Sequence, residues 1–183
     1  MIYNVAQLLK APVGTTQLVE LDPSDELELG DDSVGLAGPL SGRLRLRRTN
    51  QGILADGPVE ANVALTCVRC LEPFTMPLSF MLEEQFYPTI DVNTGISLPE
   101  TDDELIFPID QNHQLDLREA IRQNLLLALP MQPLCKETCA GLCPQCGKNL
   151  NEGSCHCQPP MDERLSVLAD LLKGAESSDQ SQR

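Results

Sequence analysis

The sequence contains no tryptophan, and its four Phe and two Tyr are the only other aromatics. A core built from it must therefore be mainly aliphatic, which a hydrophobic fraction of 42% is enough to supply. It also lacks an apolar run near the roughly 18 residues that a membrane span requires. Its first residues, Met1 to Lys10, show neither the basic start nor the apolar stretch of a secretory signal. The expected protein is cytoplasmic, with no membrane and no small-molecule substrate. Basic residues are scarce: 13 Lys and Arg face 27 Asp and Glu, for a formal charge of −14. Broad phosphate-driven wrapping of nucleic acid is excluded by that balance, because such binding draws on a surplus of cations. A basic protein partner, or nucleic acid held by a local basic patch, remains open. Two His, no glycine-rich phosphate loop and no nucleophile elbow leave little from which to assemble an active site, so no enzyme is expected.

What the chain has in quantity is cysteine, eight in all. In a reducing compartment these point to metal rather than to disulfides. The sharpest motif is Cys143-Pro144-Gln145-Cys146-Gly147. Two thiols at this spacing allow a knuckle in which backbone N–H groups point at sulfur, and the glycine supplies the positive φ. Cys155-His156-Cys157 follows after an eight-residue spacer. Four thiolates close a tetrahedral site with no open position, as structural zinc requires. Cys67, Cys70, Cys135 and Cys139 are left to form a second set, giving one or two structural Zn²⁺ ions. A different sharing among the six C-terminal cysteines is the rival arrangement. A redox dithiol at Cys67 and Cys70 lacks the strand-to-helix setting that would lower a thiol pKa. His156 lies between two ligand candidates and would point away from their metal, and His113 is isolated.

Hydrophobic period supplies the frame. A short helix is expected at Val5 to Lys10, with Asn4 as cap, and a strand at Thr15 to Leu21. The acidic stretch from Glu20 to Asp32 reads as a solvated connection, with a further strand possible at Leu27 to Leu29. Strict alternation in Arg43-Leu44-Arg45-Leu46-Arg47 puts the leucines inward and the arginines outward. Thr49 to Gly52 is a turn. Val59 to Leu65 and Phe74 to Leu82 are the next two strands, giving an antiparallel meander. Residues 88 to 113 read as an irregular loop, with acids at Glu100, Asp102, Asp103 and Glu104. A helix follows from Leu117 to Leu129, capped by Asp116. The fold class is thus α+β: an antiparallel β meander or partial barrel, a packing helix and a zinc-bound C-terminal extension. The expected organisation is a β-rich domain over 1–133, a cysteine-rich segment with a terminal helix (about Asp162 to Lys173) over 134–173, and a disordered tail over 174–183.

Arg43, Arg45 and Arg47 are candidates for nucleic-acid contact, since arginine forks match phosphate. They could equally neutralise the nearby acidic stretch.

Cys67-x-x-Cys70-Leu71-Glu72-Pro73-Phe74 resembles the YceD family. So do Leu129-Pro130, Pro133-Leu134-Cys135, and the run Gly141-Leu142-Cys143-Pro144-Gln145-Cys146-Gly147-Lys148-Asn149-Leu150-Asn151. The resembling stretch spans roughly residues 58 to 172. The family comprises large ribosomal RNA subunit accumulation proteins of bacteria and plastids. The resemblance implies a non-enzymatic factor in large-subunit biogenesis that supports 23S rRNA synthesis, processing or accumulation. Its partners would be rRNA or a basic ribosomal protein. It implies no catalytic residue. Paired cysteines also suit another class, a redox-switched zinc chaperone that would release metal on oxidation.

Overall fold

The computed structural model describes residues 1–23, 27, 29–30, 34–98 and 107–157. It divides into two compact units, Met1–Glu137 and Thr138–Arg183. The expected terminal helix and tail, the acids at 100–104 and most of the acidic stretch after Pro23 lie outside the described residues, as does part of the suggested strand at 27–29.

In the first unit, β1 (Ile2–Asn4) leads into α1 (Ala6–Lys10), then β2 (Thr16–Glu20), β3 (Gly35–Leu36), β4 (Ser41–Arg48), β5 (Ile53–Thr66), β6 (Pro73–Pro88), β7 (Phe107–Ile109), β8 (Gln114–Asp116) and α2 (Arg118–Ala128). Among the described residues these strands form one eight-stranded sheet in the order β1-β8-β7-β6-β5-β4-β2, with β3 also on β5. The expected meander is β4-β5-β6; the register of β5 on β6 is continuous from Ile53↔Phe86 to Thr66↔Pro73, while the β4–β5 ladder is interrupted at Arg43 and Leu44. Period two explains its two faces. Ile53, Ala55, Val59, Ala61, Val63 and Leu65 of β5 are all buried, as are Leu44 and Leu46 of β4. The intervening side chains face outward.

The sheet is curled. β1 and β2 stand at opposite ends of the strand order, yet the Tyr3 hydroxyl of β1 donates to the Glu20 carbonyl of β2 at 2.8 Å. This is the half-barrel that the alternating strands imply. Aliphatic side chains fill it, together with Phe86, whose ring lies 5.4 Å from that of Phe107. Helix α2 closes it with Ala120, Ile121 and Leu125, all buried. Burying side chains of this size stabilises by about 1.5–3 kcal/mol each.

Three expectations need correction. The region 88–113, read as an irregular loop, contains β7, and β7 runs parallel to β6, so the sheet is not wholly antiparallel. Within the same region Asp91 organises a tight turn, its carboxylate accepting from the backbone N–H groups of Asn93 (3.0 Å) and Thr94 (2.7 Å). Strands β1, β3 and β8 are of two or three residues and carry no readable period. The N-cap positions are Val5 and Leu117, one residue further in than the expected Asn4 and Asp116, and neither caps with its side chain. Asp116 and Asn4 accept from the N–H groups two residues on, at Arg118 (3.0 Å) and Ala6 (3.1 Å). No helix among the described residues is long and apolar enough to cross a membrane.

Gly57 sits mid-strand at φ 155°, and a Cβ there would lie 2.5 Å from the Arg43 carbonyl oxygen. Gly57→Ala must therefore push β4 away from β5. We expect a loss of about 2–4 kcal/mol, read as a lower urea midpoint. An unchanged midpoint would mean that the two strands are not held this closely.

Candidate metal centres

Cys67 and Cys70 sit in the connection between β5 and β6, at the hairpin tip. The Leu71 N–H donates to the Cys67 carbonyl at 2.9 Å, and the Cys67 N–H donates to the Glu72 carbonyl at 3.0 Å. In the second unit, the Gly147 N–H donates to the Cys143 carbonyl at 2.9 Å, and the Cys143 N–H donates to the Lys148 carbonyl at 2.8 Å. The two loops are thus the same knuckle, built twice. Each passes through the left-handed region immediately after its second cysteine, at Leu71 (φ 60°) and at Gly147 (φ 71°). Gly147 was legible from the sequence. Leu71 was not, because leucine is a poor marker for a backbone position that glycine normally fills.

The ligand atoms of Cys67, Cys70, Cys135 and Cys139 all lie within 4.8 Å of one another, and so do those of Cys143, Cys146, Cys155 and Cys157. Cys135 reaches the hairpin tip because the loop after α2 is pinned there: the Val68 N–H donates to the Pro133 carbonyl at 3.0 Å. The Cys70 and Cys135 sulfurs are 3.6 Å apart. A disulfide would hold them at about 2.05 Å. Four thiolates around one ion at zinc–sulfur distances of 2.3 Å would stand about 3.8 Å from one another, so both clusters fit a tetrahedral ion. Cys139 follows Cys135 by four residues, and its sulfur accepts from the Asn151 side-chain amide at 3.3 Å. Asn151 also accepts from the Ala140 N–H at 3.0 Å. In the second unit, Asn149 caps a short 3₁₀ turn (Leu150–Glu152) by accepting from the Asn151 N–H at 3.0 Å. Lys148 closes the loop onto the Ser154 carbonyl at 3.0 Å.

The electrostatics favour a cation. Burial pushes the Cys67 thiol up, but N–H groups of Cys135, Cys70 and Arg69 outweigh it and bring the group down to about 6. The N–H groups of Cys146 and Gln145, with the Cys155 thiol, bring Cys143 down to about 6 as well. Cys157, hydrogen-bonded to Cys146 and Cys143, is pushed up to about 12. Sulfurs crowded this closely cannot all be anionic unless a positive ion sits among them. Both sets offer only thiols, a soft donor set that suits zinc or an iron–sulfur centre rather than magnesium or calcium. The first set is the more enclosed: Cys67, Cys70 and Cys139 are buried, whereas Cys146 and Cys157 are exposed.

The arginine strand is engaged within the first unit. Arg43 pairs with Glu20 at 2.6 Å, and Arg45 makes a two-point contact with Asp56. Arg47 lies 4.0 Å from the same carboxylate. Arg48 donates to the backbone carbonyls of Leu9 (3.1 Å) and Gly52 (2.9 Å), which fastens α1 to the β4–β5 turn.

A small curled-sheet protein with two four-cysteine clusters on matching knuckles is the class that fold and sites define. The chain belongs to the YceD family: the family model, described as large ribosomal RNA subunit accumulation protein YceD, matches residues 55–172. An uncharacterised protein of Mycobacterium tuberculosis (strain ATCC 25618 / H37Rv) is 36% identical over 135 residues, covering 73% of this chain and 62% of that protein. A Zea mays protein named large ribosomal RNA subunit accumulation protein YCED homolog 1, chloroplastic, is 31% identical over 156 residues, covering 72% of this chain and 50% of its own length. A Mycobacterium leprae (strain TN) protein is 27% identical over 175 residues, covering 94% of this chain and 77% of its own. This chain therefore spans less than two thirds of the Mycobacterium tuberculosis relative. No solved structure matches.

Leu71 is exposed, so its side chain gains little in return for a conformation that costs leucine about 1–2 kcal/mol. Leu71→Gly should therefore stabilise the first unit by about 1 kcal/mol, and Gly147→Ala should weaken the second knuckle by a similar amount. Chelator competition before and after each change would read both. A Leu71→Gly protein that binds metal more weakly would contradict the match between the loops.

Proposed function

We propose that this chain is a non-enzymatic, zinc-binding factor that supports the accumulation of 23S ribosomal RNA during large-subunit biogenesis. Membership of the YceD family carries the ribosomal part of this reading. The Zea mays relative, by its name, supports it. The two closed sets of four thiols support zinc: each supplies a full tetrahedral shell and leaves no position for substrate. In the second unit Cys143, Cys146, Cys155 and Cys157 would supply much of the folding free energy of a polar segment, with the ion acting as its core.

The partner is rRNA or a basic ribosomal protein, and the charges favour the protein. Arg43 and Arg45 are already held by carboxylates, while the net charge of −14 attracts a basic surface. In cells lacking the protein, 23S rRNA should fall relative to 16S, and the wild-type chain should restore it. A protein with Cys146 and Cys157 replaced by serine should restore it less well. An unchanged 23S to 16S ratio on removal would refute the ribosomal reading.

Native mass spectrometry should find two zinc ions per chain, and one after Cys146→Ser. A single ion in the wild type would leave one cluster without a metal role. The exposed thiols of Cys146 and Cys157 keep a redox-switched chaperone as the second reading. Peroxide-driven zinc release coupled to holdase activity would favour it.

A further inference from the structure

Among the described residues β2 is one of the two end strands of the sheet, and its backbone geometry specifies what could pair with it. On β2, the Thr15 carbonyl accepts from the Arg48 N–H at 2.8 Å, and the Leu21 N–H donates to the Gly42 carbonyl at 3.0 Å. The register between them, from Thr16↔Arg47 to Glu20↔Arg43, is unbroken. Odd-numbered positions of β2 therefore point their N–H and C=O groups at β4. Thr16, Leu18 and Glu20 turn theirs to the outer edge of the sheet, which agrees with the Glu20 carbonyl accepting from Tyr3. The strand is exposed at every position except Val19, and Leu18 is 66% exposed. Charged side chains, prolines and bulges, which natural edges use to discourage pairing, are missing from Thr16 to Val19.

At the Glu20 end of this edge lies a groove of about 460 Å³, lined by Met1, Ile2, Tyr3, Glu20 and Asp22. Ile2 is exposed. The edge thus offers the outward backbone groups of Thr16 and Leu18 beside the exposed Leu18 side chain, and the groove at its end adds apolar Ile2. We infer that β2 is a docking edge for an extended, basic segment of a partner protein, which adds to the sheet as a further strand. Main-chain hydrogen bonds to Thr16 and Leu18 would hold it, and the chain's net charge of −14 favours lysine and arginine over acidic side chains. This rests on the reading of a basic protein partner. Peptide binding is measured separately from rRNA levels, so either can fail without the other.

The test uses the full chain and two blocked octapeptides, one alternating lysine and valine, the other alternating glutamate and valine. The lysine peptide should bind, shift the amide resonances of Thr16, Leu18 and Glu20, and show cross-strand contacts to β2. The glutamate peptide should bind at least about tenfold more weakly. Leu18→Pro removes an N–H that faces outward, so the β2–β4 ladder persists and the fold should be retained. This variant should lose peptide affinity by about tenfold or more. Should the proline variant unfold, Leu18→Lys keeps the ladder and adds a repelling charge, and it should weaken the lysine peptide while sparing the fold. The proposal is overturned if the lysine peptide does not bind, or if its shifts fall away from β2. Equal affinity for a folded Leu18→Pro protein would overturn it too. So would concentration-dependent dimerisation that Leu18→Pro abolishes, because the occupant would then be a second copy of this chain.

Discussion

Between Ile53 and Thr66 every residue of β5 has a partner on β6, with no break in register over the strand's 14 residues. The rest of the first unit depends on this ladder. It fixes which side chains face inward, because a slip of one residue would turn all of Ile53, Ala55, Val59, Ala61, Val63 and Leu65 to solvent. It gives α2 a surface to pack on, and Glu84 of β6 accepts from Asn124 of that helix at 2.7 Å. It also carries Cys67 and Cys70 at its far end, where the two strands must reverse. The position of the first thiol cluster is therefore a consequence of strand length. A hairpin two residues shorter would move the pair away from the Pro133 carbonyl that Val68 now meets.

The reversal itself is made by a knuckle rather than by an ordinary two-residue hairpin turn. A Gly-containing turn would join the strands more simply. The knuckle instead spends its N–H groups on sulfur, which lowers Cys67 to about 6. The same hydrogen-bond pattern recurs around Cys143 in a segment with no long strands. The knuckle's geometry is thus independent of the sheet, and what the two settings share is the chemistry of a thiolate. In the first it replaces a turn. In the second it is the main organising feature of a polar segment, supported by Asn149, Asn151 and Lys148 through short-range hydrogen bonds.

Much of this was legible in the residues, for reasons that also explain what was not. Alternation within Arg43–Arg47, Val59–Leu65 and Phe74–Leu82 reported β4, β5 and β6, because one face of each is buried and the other is not. Helix α2 was visible from Ile121 and Leu125, which lie one turn apart on its buried side. Strands β1, β7 and β8 are only three residues long. They owe their existence to the edges left by longer neighbours, which no local pattern encodes. Phe107 and Ile109 look like isolated apolar residues in a loop until β6 is present to pair with them. The cysteine spacings pointed to knuckles and to a division into two sets of four. They did not reveal the strained Leu71, whose φ follows from a hydrogen bond to Cys67 and not from any preference of leucine.

The arginines show how an acidic protein can carry a basic stripe without presenting one. Alternation forces Arg43, Arg45 and Arg47 onto a single face, and that much follows from Leu44 and Leu46 being buried. What the face presents depends on cross-strand neighbours. Register places Glu20 opposite Arg43 and Asp56 opposite Arg45, and the ion pairs follow. Exposed pairs of this kind contribute little stability, about 0–1 kcal/mol each. Their larger effect is on the surface potential, since Arg43 and Arg45 are matched at contact distance, Arg47 lies 4.0 Å from the carboxylate that Arg45 holds, and the field of each matched pair falls off as that of a dipole. A phosphate approaching β4 would have to displace a carboxylate already in place and do so against the repulsion of the whole chain. A lysine-rich segment approaching β2 meets the opposite situation: the chain's net charge draws it in, and the outward backbone groups of Thr16 and Leu18 are oriented to receive it.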